Sequence, residues 1–557
     1  MHLLRPLLCL ALAFSGALRA AESPVAPVSP AASAAVPLFA GTGPHTRPVT
    51  GASPLAQRYF DQGVALVTNF NHDEGLRSMQ HATVLSPDAP LLWWGVALAC
   101  SPHINATGVS AERAALAWQA LDRADALVAA ATPVERALLR AARTHFAADP
   151  KAPRRPLDEA YAAAMREVWR EFPRDADVGA WFAEALMVLR PWDLWHPDGS
   201  PQPGTDEVIA VLDAVLRPAP RHPLGNHLAV HAHEASAYPE KADAAADRLR
   251  VIAPGLGHLV HMASHIDVRR GRWHDAIVVN QRAIEIDLAY VAAANRKLGN
   301  YLGYMAHDYH MLCFAAMMSG RGALAAKIMD DLFVRQPPEW QRDSAAADGF
   351  HAMRFDVMKR FGQWDEILAA PAPAEKLTHA RAWRLLARGI ARAARGDPVG
   401  ARAEQADFVA ARAKLPPKAE YRKNPLKDVM DIAAGLLEGE ILLAEGQPEP
   451  AFAALREAVA REDKLRYAEP PAWAQPVRHA LGAALMQRLR FAEAEAVYRA
   501  DLARYPDNGW SLYGLARSLR LQKKDPADAD RLEARFREVW AHADVELTSS
   551  CLCLPGQ

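Results

Sequence analysis

The sequence predicts an all-α protein built as an α-solenoid of helix–turn–helix repeats. Three observations support this class. Alanine and leucine are abundant throughout while glycine is modest, at 31 residues, which favours helices over sheets. Small residues and prolines recur with a period of 34 residues, the length of one helical hairpin repeat. No segment reaches the about 18 uninterrupted apolar residues of a membrane-spanning helix.

The charge composition excludes one class of function. The 557 residues include 64 Lys and Arg against 65 Asp and Glu. Because no basic excess is available to neutralise phosphates, we exclude an electrostatic nucleic-acid binder. The aromatic content of 8% and the charged content of 23% are ordinary, so most of the chain is expected to bury a core.

The first twenty residues have the features of a secretory signal peptide. Arg5 supplies the positive start, residues 7–17 form an apolar stretch, and Ala20 is a small residue at the cleavage point. Six prolines among Ala, Ser and Val in residues 21–50 predict an unstructured linker. The chain is therefore expected to be exported, to the periplasm or out of the cell.

The clearest repeat unit runs from Ala56 to Ala89. Its small residues, its bulky residue and its closing proline are Gly63, Gly75, Met79, Ala82 and Pro87. The small residues let the two helices of a unit approach closely, and the proline ends the second helix before the next unit. Equivalent positions near the far end are Gly482, Ala494, Tyr498 and Pro506. This pattern resembles the tetratricopeptide repeat (TPR).

Repeats continue to about residue 543 and predict three regions after the linker. These are a TPR-like solenoid over residues 51–335, further TPR repeats over 336–545, and a tail over 546–557. In an oxidising compartment, four cysteines can pair in three ways: Cys100, Cys313, Cys551 and Cys553. The alternatives are a soft-metal site in the Cys-Leu-Cys tail and unpaired cysteines.

Two stretches interrupt the repeats. Residues 190–204 are rich in Pro, Gly and Trp, which predicts a long ordered loop rather than a helix. Residues 287–305 include extra residues beyond the length of a standard repeat unit. Long loops inside compact repeats are more often functional than decorative. Arg190, Trp192 and Trp195 are candidates to close over a neighbouring site, with core packing as the alternative for the tryptophans.

Histidines concentrate in three adjacent central units. Other residues fix the register of these units, which start at Pro223, Gly257 and Ala306. In that register, positions 2, 5, 9 and 12 of the first helices hold seven histidines and one glutamate: His227, His231, Glu234, His258, His261, His265, His307 and His310. Chance would place about half a histidine there. Residues three and four apart share a helix face, and in TPR proteins the face with these positions lines the concave groove.

The chemistry of this stripe favours a metal site. Neutral imidazole binds copper and zinc, and two histidines one helical turn apart already supply half of a tetrahedral site. Seven imidazoles exceed the needs of one ion, so we predict one or two ions, copper or zinc, with Glu234 as ligand or general base. The alternatives are a histidine-lined groove that binds an anion or a peptide, and a solvated polar surface.

Several neighbours extend the predicted site. Tyr304 lies one turn before His307 and is a candidate catalytic residue, and Asp308 is a candidate to orient an imidazole. His103 falls in a loop between helices, where a structural role is the more common one and an extra ligand role the alternative. His233 points away from the stripe and is left out of the set.

Six segments between residues 50 and 335 carry a further resemblance: Phe70–Glu74, Leu189–Trp195, His227–Ser236, Gly257–Ile266, Asn280 with Ala283, and Tyr304–His310. Together they resemble a family of exported bacterial TPR proteins with a histidine-rich central region. This chain departs at Ala263, where relatives tend to have proline, and at Asp308, where they tend to have asparagine. The second change places a carboxylate near the site. The resemblance implies a fold and interaction surfaces, not a reaction.

Three functions follow as alternatives from the sequence. The first is an exported metalloprotein, in enzymatic form a copper-dependent oxidoreductase or a zinc-dependent hydrolase. The second is a non-catalytic scaffold whose groove holds a protein or peptide partner. The third is a metal storage or delivery protein. A small-molecule substrate is compatible with the first, and the sequence does not identify it.

Overall fold

The computed structural model describes residues 36–294, 299, 301–335, 341 and 345–554. The predicted signal peptide, the first part of the predicted linker and the predicted boundary at residue 336 lie outside the described residues. Within them, the chain is helical almost throughout, and consecutive helices pack as antiparallel hairpins. The predicted all-α class and repeat architecture are confirmed. None of the helices described combines the length and the apolar character needed to cross a membrane.

The helices of the first part of the chain are α1 Pro54–Thr68, α2 His72–Leu85, α3 Pro90–Cys100, α4 Ala111–Ala126, α5 Pro133–His145, α6 Arg154–Glu171, α7 Ala176–Val188, α8 Thr205–Leu216, α9 Pro223–His233, α10 Asp243–Ile252, α11 Gly257–His261, α12 Ala263–Arg269, α13 Trp273–Ala294, α14 Tyr301–Met318 and α15 Gly322–Arg335. Short 3₁₀ turns lie at Val128–Ala130 and Pro239–Ala242. Residues 190–204 form an irregular loop between α7 and α8, as predicted.

The second part continues the array with α16 Ala345–Arg360, α17 Trp364–Ala369, α18 Thr378–Ala394, α19 Pro398–Ala413, α20 Leu426–Ala444, α21 Pro448–Glu462, α22 Val477–Gln487, α23 Phe491–Arg504, α24 Gly509–Gln522 and α25 Pro526–Val539. A two-stranded antiparallel hairpin, β1 Glu420–Tyr421 and β2 Asn424–Pro425, precedes α20.

Capping and close packing explain why these segments form hairpins. The Ser53 side chain accepts a hydrogen bond from the first turn of α1, and Thr132 and Glu135 form a capping box at α5. A Cβ on Gly63 would lie 2.7 Å from the sulfur of Met79, so a larger residue there would force the Met79 side chain to move out of the contact between α1 and α2. The small-residue positions of the predicted units therefore lie where the two helices touch.

The C-terminal helices fold back on the central ones. The indole N–H of Trp273 in α13 donates to the carbonyl of Pro506, and that of Trp510 in α24 donates to the carbonyl of Met317, each at 3.0 Å. The Asp544 carboxylate accepts hydrogen bonds from the N-terminus of α15, at 2.6 Å from the Gly322 nitrogen. These contacts bring distant parts of the chain to the central units.

The described part of the predicted linker is packed, so the prediction of an unstructured linker is wrong there. His45 Nε2 lies 2.8 Å from Asp177 Oδ1, and Arg47 Nη1 lies 2.6 Å from Asp175 Oδ2, at the start of α7. The prolines prevent a helix, but these buried partners order the segment without one.

The tail also packs against the repeats. Cys551 and Cys553 form a disulfide, and Cys553 Sγ lies 3.0 Å from Glu440 Oε1 in α20. Of the alternatives for this pair, the structure therefore shows the disulfide, which leaves no thiolate for a soft metal. Cys100 and Cys313 are free and buried.

Candidate metal centre

The histidine stripe lies on the first helices of three adjacent hairpins. His227 and His231 lie one turn apart on α9, which begins at Pro223. The stripe continues over α11 and α12, which are separated by a break at Met262, and then over α14. The histidine-bearing helices are neighbours in space because the repeat period stacks equivalent helices side by side. His227 is 0% exposed and His231 only 6%.

Six of the predicted ligands divide into two groups, which we call the first and the second trio. The first trio is His227, His231 and His258, and the second is His261, His265 and His307. In each trio, one nitrogen atom from each ring lies within 4.8 Å of the other two. In both trios, two histidines come from positions 5 and 9 of one repeat unit and the third comes from position 2 of the next unit.

Hydrogen bonds define the tautomers of the first trio. His227 Nδ1 lies 2.8 Å from the carbonyl oxygen of Thr68, which can only accept, so Nδ1 holds the proton. His231 Nδ1 donates in the same way to Glu234 Oε1 at 2.7 Å. Burial tends to raise the pKa of Glu234, but His231 and His265 outweigh it and lower the pKa to about 2, so the carboxylate is an acceptor. Both Nε2 atoms therefore present lone pairs, 3.1 Å apart.

The second trio repeats this arrangement with different partners. His261 Nδ1 lies 2.6 Å from Asn280 Oδ1, whose amide nitrogen donates to the Ala276 carbonyl, which fixes the orientation of the amide. His265 Nδ1 donates to Glu234 Oε2. The Nε2 atoms of His261 and His265 again face each other as acceptors, 2.9 Å apart.

Two facing lone pairs at hydrogen-bond distance require a cation between or beside them. A proton would serve only if one imidazole of each pair were charged. Burial and neighbouring histidines hold the pKa of His227 and of His261 well below the ordinary value. The charged ring would therefore have to be the other member of each pair, His231 or His265, whose Nδ1 faces Glu234. A metal ion coordinated by neutral imidazoles satisfies the same lone pairs without charging a ring.

The third histidine of each trio has a different environment. His258 is 1% exposed, and neither of its ring nitrogens has a hydrogen-bond partner in the described part of the chain. A buried imidazole with both nitrogens unsatisfied is costly without a ligand. His307 Nδ1 lies 3.5 Å from Arg422 Nη1, at the long limit of a hydrogen bond.

The carboxylate of Glu234 joins the two trios. Its Oε1 accepts from His231 in the first trio and its Oε2 from His265 in the second. Because both oxygens are occupied by ring N–H donors, this geometry suits the orientation of ligands better than metal ligation or base catalysis. Asp308 Oδ1 lies 3.1 Å from His261 Nδ1, close to the predicted orienting position, although Asn280 is nearer.

The other predicted residues have separate positions. The Tyr304 ring meets that of His258 edge to face at 4.8 Å, so Tyr304 borders the first trio. His310 belongs to neither trio, and its ring packs against Phe350 of α16 at 5.1 Å. The reason is that position 9 of its unit is Phe314, so His310 has no histidine one turn after it on α14. The His103 ring lies 4.4 Å from that of Phe70 in a tilted contact, and His103 also lies outside the trios.

Two residues of the second part of the chain reach the site and were missed from the sequence. Glu469 Oε2 lies 3.0 Å from His265 Nδ1, and burial together with the charge of Glu234 raises the pKa of Glu469 well above its usual value. Arg422 reaches His307 from the β hairpin. Both lie between repeats, where no periodicity applies. The Pro470-Pro471 interruption was the available signal, similar to that of residues 190–204.

Two aromatic residues in left-handed backbone conformations cover the first trio. Phe70 has a φ of 57° and its ring lies 4.5 Å from that of His227. Trp192 has a φ of 60°, its ring lies 5.3 Å from that of His231, and its indole N–H donates to Asn105. Bulky residues rarely adopt this conformation, and it costs about 1–3 kcal/mol. The predicted loop therefore does place a tryptophan over the histidines.

These covers change one expectation. The stripe was expected to line an open concave groove, but its histidines are buried except for the half-buried His307. The 190–204 loop, the β hairpin and the segment around Glu469 contact them. A peptide would reach the buried imidazoles only after this cover opened.

Comparisons with known proteins show no family for this chain. No family model matches it, and no curated protein matches it. Similar solved structures include the APC/C hetero-tetramer Cut9-Hcn1, at 11% identity over 86% of this chain and 76% of that chain, with a TM-score of 0.29. The human IFIT1 dimer with m7Gppp-AAAA is 13% identical over 88% of this chain and 90% of that chain, with a TM-score of 0.32. Yeast Tom70 is 10% identical over 86% of this chain and 92% of that chain, with a TM-score of 0.27. At these TM-scores the likeness carries no argument, and the fold class rests on the helices themselves.

Proposed function

We propose that this protein is a metalloprotein that binds two transition-metal ions, copper or zinc, one in each histidine trio. The observation that carries the proposal is the pair of facing Nε2 atoms in each trio, 3.1 Å and 2.9 Å apart. Their Nδ1 atoms already donate to acceptor oxygens, so while both rings of a pair are neutral no proton lies between the Nε2 atoms.

The donor set fits these metals. Two nitrogens at about 2.0–2.1 Å from one ion lie about 3.3 Å apart at a tetrahedral angle and about 2.9 Å apart at a right angle. The observed separations fall within or at the edge of that range. Three imidazoles with an open position are also the donor set of catalytic zinc sites.

The chain's own residues supply the surroundings that such a centre needs. Thr68, Asn280 and Glu234 hold the non-coordinating nitrogens of four ligands. When bound, copper would supply dioxygen activation and zinc would supply an activated water, which correspond to an oxidoreductase and a hydrolase. In either case Glu234 acts as a positioning residue, and Tyr304 borders the first trio.

Metal analysis of the purified protein, prepared without an affinity tag, tests the proposal. We expect two equivalents of metal per chain, and one after the double substitution His261→Ala with His265→Ala. His310→Ala is the matched control, because His310 is buried on a ligand-bearing helix but lies outside the trios, and it should retain both ions. Trace metal in the native protein, or equal losses in the control, would overturn the proposal.

The helical repeat architecture also suits a second candidate, a non-catalytic scaffold that binds a protein or peptide partner. The same metal analysis separates the two, because a scaffold needs no stoichiometric ion. A storage or delivery protein differs from a catalytic one in that it would release both ions readily to a mild chelator. Export remains part of the proposal, and N-terminal sequencing of protein from the secreting host should find a start at Ala21.

A further inference from the structure

The β hairpin beside the metal centre has an unusual turn. Arg422 and Lys423 form its two-residue connection, and both are left-handed, with φ of 51° and 61°. Such turns favour Asn-Gly and similar pairs, because those residues adopt positive φ at low cost. Two long cationic residues therefore occupy positions where the backbone conformation disfavours them.

The side chains of this turn approach His307 of the second trio and Trp192. Arg422 Nη1 lies 3.5 Å from His307 Nδ1 and donates to the Glu469 carbonyl at 3.1 Å. Lys423 Nζ lies 5.9 Å from the centre of the Trp192 ring. The turn thus connects the second trio with the tryptophan that covers the first.

Arg422 lacks an anionic partner. It forms no ion pair with any carboxylate among the described residues, and its Nε and Nη2 form no hydrogen bond there. Arg269, by contrast, lies in the field of Glu469 and Glu234, which tend to raise its pKa against the lowering effect of burial. A guanidinium stays protonated at neutral pH. A half-buried cation beside a metal-binding trio is costly unless an anion completes the charge balance.

We propose that Arg422 is the anion-recognition residue of this centre, so that the small molecule bound there carries a carboxylate or similar anionic group. The free Nε and Nη2 edge of Arg422 is the two-donor fork that binds a planar anion. Lys423 and Trp192 line the approach. This inference rests on the proposed metal centre and names the substrate class of that same site.

Titration of the metal-loaded protein with azide, an anionic metal ligand, and with imidazole, a neutral one, tests the inference by visible absorption of the copper or cobalt form. We expect Arg422→Gln to weaken azide binding at least about tenfold, as for loss of a charge-assisted hydrogen bond, and to change imidazole binding less than twofold. Arg422→Lys keeps the charge but not the two-donor fork, so its azide affinity should lie between those of the native protein and of Arg422→Gln. Arg490→Gln, on the surface near α23, is the remote control and should match the native protein.

The outcomes separate the two claims. If the native protein and Arg422→Gln hold two ions and bind azide equally, the inference fails and the metal centre stands. If the native protein holds no stoichiometric metal, both fail. Circular dichroism checks that each variant folds. If Arg422→Gln does not fold, Arg422→Lys decides. A loss of azide affinity of threefold or less in Arg422→Lys, matched by an equal loss of imidazole affinity, overturns the inference.

Discussion

The two histidine trios follow the same construction rule, but their surroundings differ. Around the first trio lie aromatic rings, those of Phe70, Trp192 and Tyr304. Around the second lie polar and charged groups, those of Asn280, Glu469 and Arg422. The repeat therefore duplicates the ligand set, while the segments that interrupt or follow the repeats make the two sites unlike. We expect the first site to exclude solvent and the second to contact the substrate.

Removal of both ions should have the largest effect, because the trios join helices of three hairpins. A ligand present at about a thousand times its Kd adds about 4 kcal/mol to the free energy of unfolding per site. We expect the denaturant midpoint to fall when a chelator strips the protein and to recover when copper or zinc returns. Measurement of urea unfolding by circular dichroism checks this, and identical midpoints in both forms would contradict it.

Glu234→Gln should weaken both sites at once, because this carboxylate orients one ligand in each trio. The expected loss of metal affinity is about 10-fold to 100-fold at each site, typical for a hydrogen-bond partner of a metal ligand. Competition with a chelator of known affinity measures it. Glu240→Gln, an exposed glutamate just beyond α9, is the matched control. A loss confined to one site would show that Glu234 does not link the trios.

Asn280→Ala should weaken only the second site, because its amide oxygen holds His261 and the first trio has no equivalent side chain. We expect a loss of about tenfold in affinity for one ion and none for the other. Asn280→Asp keeps an acceptor at this position and should restore most of the affinity. Metal titration followed by calorimetry resolves the two ions, and an equal loss at both would contradict the assignment of Asn280 to one trio.

Local periodicity made the fold and the clustering of most candidate ligands predictable. Positions such as Gly63 and Met79 mark where two helices touch, and the same register places His227 and His231 on one face. The division into trios could also have been found, since positions 5 and 9 of one unit meet position 2 of the next. His310 shares a helix face with His307 but lies outside both trios, because position 9 of its unit is Phe314 rather than histidine.

Residues outside the repeats were not predictable in the same way. Glu469 lies about 200 residues from His265, and Arg422 lies 115 residues from His307. Their positions depend on how the C-terminal helices fold back, through contacts such as Trp510 with Met317. No periodic signal encodes that packing. Residues 36–50 show the converse case: their composition indicated disorder, yet ion pairs from His45 and Arg47 hold them in place.

The smallest effect is expected from Trp192→Ala, which should change the rate of metal loss rather than the affinity. Trp192 covers His231 without coordinating a metal, so its removal admits water and chelator to the first trio while the ligands and their hydrogen bonds stay in place. In a His261→Ala, His265→Ala background, where one ion remains, we expect a chelator to extract that ion severalfold faster. Trp93→Ala, at a half-buried tryptophan of α3, serves as the control. An unchanged extraction rate would show that the aromatic cover does not limit access, and the contrast between an enclosed and an accessible site would then fail.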